Sequence, residues 1–203
     1  MRGIPGLIRP GTSSPLAVPL VVPGLRVIGL DLSLTSTGVA LPDGTTYRIK
    51  TQPRDGDRRL LHIRSDIRDD LAEHRPHLAV VEDLPMHAMS AGITGMVHGI
   101  VRAELAEAGV PYALVAPATL KAYACDNGKA EKAELAAAAY LAAGATFVDD
   151  GGGDQADAWW LRAAGHDWCG MPLFALPQAQ RDRLSKAKWP DTYRQRYVMG
   201  IAS

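Results

Sequence analysis

Three things are scarce in this chain: cysteine, aromatic side chains and any excess of one charge. Cysteine occurs only as Cys125 and Cys169. They lie far apart and without a metal-ligand spacing between them, which argues against a disulfide framework and gives no zinc pattern. A reducing, cytoplasmic setting is the expectation. Aromatic residues make up 6% of the chain while alanine and glycine abound, which favours closely packed helices over a β-sandwich. Lysine plus arginine equal aspartate plus glutamate, 22 against 22, so bulk charge says nothing of a nucleic-acid partner and local distribution must decide. No run approaches the roughly 20 apolar residues of a membrane-spanning helix. The apolar stretch from Leu16 to Val22 is interrupted by Pro19 and lacks a small-residue cleavage site, which makes it a poor signal peptide.

What the chain does have is apolar content. At 203 residues and 47% hydrophobic, it suits one globular domain with extensions. Residues 1 to 24 carry Pro5, Pro10, Pro15, Pro19 and Pro23 among glycines and serines and read as a flexible arm. The region from 25 to 166 reads as the folded domain, and 167 to 203 as a C-terminal extension. That extension has a basic tail: Arg181, Arg183, Lys186, Lys188, Arg194 and Arg196 against Asp182 and Asp191. With Trp189, Tyr193 and Tyr197 interleaved, such a tail can stack on bases and neutralise phosphates.

Strand and helix signals alternate along the folded region. Arg26–Asp31, Gly38–Leu41 and Thr46–Lys50 read as strands, the last two joined by the turn Pro42-Asp43-Gly44. Asp55–Arg75 reads as an amphipathic helix stopped by Pro76. Leu78–Glu82 is an apolar run without alternation, as in a strand buried on both faces. Then come a helix over Ala91–Ala108, a strand over Tyr112–Ala116 and a helical turn from Pro117 to Lys121. A helix over Lys129–Ala143 is closed by Gly144, and a last one runs from Asp154 to Ala164 with Gly165 as its cap. Three strands joined by short turns, followed by helix and strand in alternation, predict an α/β fold. Its five-stranded sheet is mixed, three strands antiparallel and then two parallel, with helices on its faces.

Four carboxylates stand out in that frame. Asp31 and Glu82 end apolar strands, and neighbouring parallel strands would bring them out at one sheet edge, where ligands gather in such folds. Asp154 and Asp157 share a helix face, with Asp154 also suited to cap that helix. Carboxylates drawn together repel unless a cation intervenes. Hard divalent ions prefer oxygen ligands, and two of them about 3.5–4 Å apart can activate a water and stabilise the departing oxygen of a phosphodiester. Asp83, Asp149 and Asp150 are near enough in sequence to stand in for members of this set.

The ordered pieces Gly29-Leu30-Asp31-Leu32-Ser33-Leu34-Thr35-Ser36-Thr37-Gly38, Val80-Val81-Glu82-Asp83-Leu84-Pro85-Met86, Pro117-Ala118-Thr119-Leu120-Lys121, Ala130-Glu131-Lys132-Ala133-Glu134-Leu135 and Asp154-Gln155-Ala156-Asp157-Ala158 resemble the RuvC-type Holliday junction resolvases of the RNase H-like superfamily. The resemblance covers about residues 26 to 165. It implies an RNase H-like sheet, with Asp31, Glu82, Asp154 and Asp157 as catalytic acids binding Mg²⁺, two ions with Mn²⁺ as a substitute. It places Lys121 and Lys132 near the scissile phosphate, with Lys132 steadying it in catalysis and Lys129 a weaker phosphate contact. Arg181, Arg183, Lys186 and Lys188 are further candidates for DNA contact, from the tail's composition alone. The family also implies a homodimer that nicks four-way DNA symmetrically, since a two-fold dimer offers equivalent sites to equivalent strands. Where the family carries an aromatic that probes the junction centre, this chain has Pro85-Met86-His87.

Three other functions fit parts of the pattern: a broader fork or flap nuclease, a branched-DNA-binding protein without chemistry, and an actin-like or sugar-kinase ATPase. The ATPase reading rests on the first motif alone. It requires a second lobe and a second phosphate loop that this chain has no room for.

Overall fold

A computed structural model of the chain describes residues 24–84 and 91–191. The expected arm, the Pro85-Met86-His87 stretch and the tail residues beyond Asp191 lie outside those described residues. Five strands, β1 (Val27–Asp31), β2 (Ser36–Ala40), β3 (Thr46–Lys50), β4 (Leu78–Glu82) and β5 (Tyr112–Val115), form one sheet in the order β3-β2-β1-β4-β5. The first three are antiparallel, and β4 and β5 join parallel to β1. This is the mixed sheet that the order of elements predicts.

Alternation along each strand sorts its side chains between two cores. Ile28 and Leu30 of β1 and Ala79 and Val81 of β4 pack towards α1 (Arg58–His74) and α2 (Ala91–Glu107). Val27, Leu78 and Val80 pack on the opposite face, with α3 (Pro117–Cys125), α4 (Lys132–Ala143) and α5 (Asp154–Trp168). A period of two then puts Asp31 and Glu82 on the α5 face as well. They leave the sheet side by side, because Leu30 and Val81, one residue earlier, are register partners.

Helix α5 lies almost in contact with the sheet backbone. A Cβ built on Gly38 would sit 2.0 Å from the Asp154 carbonyl oxygen, and one on Gly29 would sit 2.1 Å from that of Ala158. Gly165 corrects an expectation. It does not cap α5 but lies inside it, because Val27 and Val80 leave no room for a larger residue (2.6 and 2.8 Å to a Cβ there), and the helix runs on to Trp168. Both tryptophans of the helix, Trp159 and Trp160, are buried and pack edge-to-face on each other, with Phe174 stacked on Trp159. Helix α4 starts at Lys132 rather than Lys129, where Glu131 and Glu134 form a reciprocal capping box.

The C-terminal extension is docked along the last strand. After a short α6 (Gln178–Asp182) and one 3₁₀ turn (Arg183–Lys186), Lys188 pairs antiparallel with Leu114 through two backbone hydrogen bonds of 3.0 and 2.9 Å. Leu184 is buried, Trp189 stacks on Trp168 with ring centroids 4.6 Å apart, and the Trp189 indole donates to the Leu184 carbonyl. The edge of β5 is thereby covered, as sheet edges commonly are.

Candidate active site

The α5 face of the sheet and the first turn of α5 bring all four expected carboxylates to one place. Asp31 and Asp157 are buried, at 9% and 7% exposure, while Glu82 and Asp154 are half-buried. Burial pushes the Asp31 carboxyl well above the usual carboxylate range, and the negative charges of Glu82, Asp157 and Asp154 push it further. Burial and then repulsion from Asp157 take Glu82 up to about 7, against a side-chain hydrogen bond to Asp31. Burial likewise takes Asp157 up to about 6, against the pull of Lys132.

Lys132, the first residue of α4, supplies the cation nearest these acids. Its ammonium lies 3.3 Å from Asp154 Oδ1 and 3.9 Å from Asp157 Oδ2. Burial works against its charge, but Asp154, Asp157 and Asp31 outweigh that and hold its pKa above the ordinary value. Lys121 of α3 also faces the cluster, lowering both Glu82 and Asp157. Among the described residues no three Asp, Glu, His or Cys side chains are closed up to metal-ligating distances. Converging negative charges that repel one another, with a lysine between two of them, account for that spacing. The donor set is nevertheless all oxygen, drawn from three elements and over-rich in charge, and such a set fits a hard divalent cation.

Three further residues complete the surroundings: Ser36 and Arg48, which the sequence did not single out, and Asp150, which it offered only as a stand-in for one of the four acids. Ser36 of β2 donates its hydroxyl to Asp154 Oδ2 at 2.6 Å. Arg48, which faces α5 because it pairs with Gly38 across β2 and β3, lies 3.9 Å from both Asp150 and Asp154. Asp150 accepts from the backbone N–H groups of Gln155 and Ala156, both at 3.1 Å. It therefore caps α5 in place of Asp154, which is the first residue of the helix behind Gly153 and is left to face the cluster. Asp150 is thus bonded to the start of α5, and its charge also helps to raise Asp157. Asp149 takes a left-handed backbone (φ 55°) in the same loop. Only the Asx-type capping habit of aspartate ahead of a helix signalled Asp150 in the sequence; nothing signalled Arg48.

The basic residues divide. Lys129 and Lys186 are exposed. Arg183 bonds Asp126 at 2.9 Å, Arg181 lies 3.4 Å from Asp167, and Lys188 bonds Asp83 at 2.8 Å. These three hold the extension to the domain. Asp83 is therefore paired with Lys188 rather than turned to the acids.

The raised carboxyls have a pH signature. A carboxyl whose pKa is higher folded than unfolded makes the folded state hold more protons, so unfolding free energy falls as pH climbs from about 4, the ordinary carboxylate value, through about 7. In metal-free buffer the melting temperature is expected to drop between pH 5 and pH 8. Added Mg²⁺ should raise it more at pH 8 than at pH 6, because ligand carboxylates must be deprotonated. Scanning calorimetry with and without EDTA reads both slopes.

The family model described as crossover junction endodeoxyribonuclease RuvC matches residues 20–141. The chain belongs to the RuvC family. A crossover junction endodeoxyribonuclease RuvC from Salinispora arenicola is 31% identical over 125 residues, covering 56% of this chain and 71% of the relative. One from Streptomyces coelicolor is 30% identical over 125 residues, covering 56% and 66%. Among solved structures, Thermus thermophilus RuvC superposes with a TM-score of 0.61 at 22% identity, covering 82% of this chain and all of that one. The same protein in complex with a Holliday junction substrate gives 0.63. At that identity the structural likeness speaks for the fold, which is RNase H-like as expected. The RuvC family match ends at residue 141, so it includes Asp31, Glu82, Lys121 and Lys132, whereas Asp154 and Asp157 come to the cluster on geometry.

Proposed function

We propose that this chain is a divalent-metal-dependent endonuclease that resolves four-way DNA junctions by paired symmetrical nicks. The observation that carries it is the meeting of Asp31 and Glu82, from adjacent parallel strands, with Asp154 and Asp157 of α5 beside Lys132, in a chain of the RuvC family. Asp31, Glu82, Asp154 and Asp157 would hold two Mg²⁺ ions, with Mn²⁺ able to replace them. Bound there, such ions supply an activated water and neutralise the leaving oxygen of a phosphodiester.

The protein's own groups do the rest. Ser36 and Arg48 fix the orientation of Asp154 from behind, so its other oxygen is presented to the cluster. Lys132 balances the acids while no cation is bound and is placed to steady the scissile phosphate; Lys121 serves the same phosphate from α3. Lys129 and Lys186 extend the positive surface for the flanking DNA. Arg181, Arg183 and Lys188 contribute by holding the extension in place.

A homodimer would give a two-fold junction two equivalent sites. The described part of α2 leaves such a face open: Ile93 and Met96 are 52% and 43% exposed, and Cβ atoms on Gly92, Gly95 and Gly99 would meet nothing within 4 Å. Val97, Val101 and Leu105 of the same helix face the core. Cys125 and Cys169 are both free, in keeping with action in a reducing cytoplasm, and among the described residues no helix is long and apolar enough to cross a membrane.

Labelled four-way, forked and flapped DNA incubated with the purified chain, in Mg²⁺ or in EDTA, tests the reading. Symmetrical nicks in the four-way junction that need the metal are expected. Preferential cutting of forks or flaps would redirect it to a broader branched-DNA nuclease, and binding without cutting would leave a DNA-binding protein without chemistry.

A further inference from the structure

Lys132 has two sides, and only one of them serves the acids. Its stem crosses Gly153 so closely that a Cβ there would lie 2.8–3.1 Å from three of the lysine carbons. On the near side of that stem its ammonium reaches Asp154 and Asp157. On the far side an open groove of about 470 Å³ runs between α4 and the loop leading to α5. That volume lies in the range of small-ligand sites.

The lining of the groove is mostly apolar and partly aromatic. Ala133, Ala136 and Tyr140 form the α4 wall and Phe147 the loop wall, with Thr146 and Asp150 as polar points. Phe147 is held by an edge-to-face contact with Trp159, centroids 6.4 Å apart. Tyr140 is 60% exposed, and Leu141 and Val148 nearby are 84% and 78% exposed. An apolar floor, an exposed ring and a few polar points suit a flat heteroaromatic group that stacks on one face.

We propose that this groove receives the nucleobase next to the scissile phosphate, unstacked from its neighbour and laid against Tyr140. The inference rests on the nuclease reading and adds a position at which that nuclease grips DNA. What selects a nucleobase over another occupant is continuity: the same lysine that faces the acids forms the groove wall, so a strand whose phosphate sits at the acids has its adjoining base within one side chain of the groove.

Four-way junctions carrying one 5-iodouracil on either side of the nick position, bound to a full-length Glu82→Gln chain and irradiated, should cross-link to Tyr140, as read by mass spectrometry. In the otherwise unaltered chain, Tyr140→Ala should raise KM for the junction by about 5- to 150-fold, the usual effect of losing one base–aromatic stack. Tyr140→Phe should restore it, since the ring and not the hydroxyl makes the contact. Cross-links that map elsewhere overturn the proposal, and so does an unchanged KM for Tyr140→Ala. So does protection of Tyr140 from iodination in DNA-free protein that vanishes when residues 192–203 are deleted, because the chain itself is then the occupant. If the unaltered chain cuts no branched DNA at all, the nuclease reading falls and this one with it. If it cuts and Tyr140→Ala cuts with the same KM, this one alone falls.

Discussion

Replacing Asp31 by asparagine should leave the chain binding a four-way junction about as tightly as before, slow its cutting by at least about 10³-fold, and raise its melting temperature in metal-free buffer at pH 8. The three effects share one cause. Asp31 is buried among Glu82, Asp157 and Asp154, and its charge is disfavoured there by desolvation first and by its neighbours second. Asparagine keeps the shape and removes the charge, so the metal-free fold loses an unfavourable term. The same change removes a hard ligand from the cation site. Metal assistance is worth several kcal/mol in the transition state, and about 4 kcal/mol is about 10³ in rate. Glu82→Gln should follow the same pattern. Single-turnover cleavage, a gel-shift titration in EDTA and a calorimetric scan measure the three quantities separately. Loss of binding and cutting together in a folded variant would argue against the assignment, as would unchanged cutting.

Gly38→Ala is expected to do the opposite to stability and to damage the site as well. Its new methyl would lie 2.0 Å from the Asp154 carbonyl oxygen and 3.2 Å from the Asp154 Cβ, and the obstacle is backbone at the start of a buried helix rather than a side chain that can swing away. Overpacking costs about 1–3 kcal/mol and sometimes more, which in a chain of this size lowers the melting temperature by roughly 3–10 °C. Gly29→Ala meets the Ala158 carbonyl oxygen at 2.1 Å and should cost about as much. The pair separates stability from positioning. Assayed well below both melting temperatures, Gly38→Ala should show a lower kcat and a weaker response to Mg²⁺, because Asp154 itself has been pushed, while Gly29→Ala, one helical turn further on, should cut at close to the parent rate. Equal kcat losses in the two would mean that Gly38 matters only for stability.

The convergence of the acids was legible because chemistry and topology both leave marks in the sequence. Asp31 and Glu82 each terminate an unbroken apolar run, and an apolar strand that ends on a charge at a sheet edge is unusual chemistry. The face they share was not legible. Val27-Ile28-Gly29-Leu30 and Leu78-Ala79-Val80-Val81 are buried on both sides, so their apolar character does not alternate. Ser36, Arg48 and Asp150 could not be assigned for the same reason: their roles come from register and from α5 packing across β2 and β3. Gly165 looked like a helix stop because glycine commonly is one. Its neighbours across the interface, Val27 and Val80, are what make it a packing residue. The ion pairs of the basic tail were not legible either. Composition marks Arg183 and Lys188 as phosphate ligands, but their carboxylate partners Asp126 and Asp83 lie 57 and 105 positions away, where no local pattern can show them.

The helix that carries Asp154 and Asp157 follows all five strands in the chain, yet it packs against β1 and β2, the first of them to be made. During synthesis, β1 to β5 all emerge before residue 154 does, so a growing chain carries Asp31 and Glu82 without their partners. Contacts so distant in sequence form late. A nascent chain, or a fragment ending short of α5, therefore lacks Asp154 and Asp157, half of the proposed metal-binding set, and is expected to leave a four-way junction uncut.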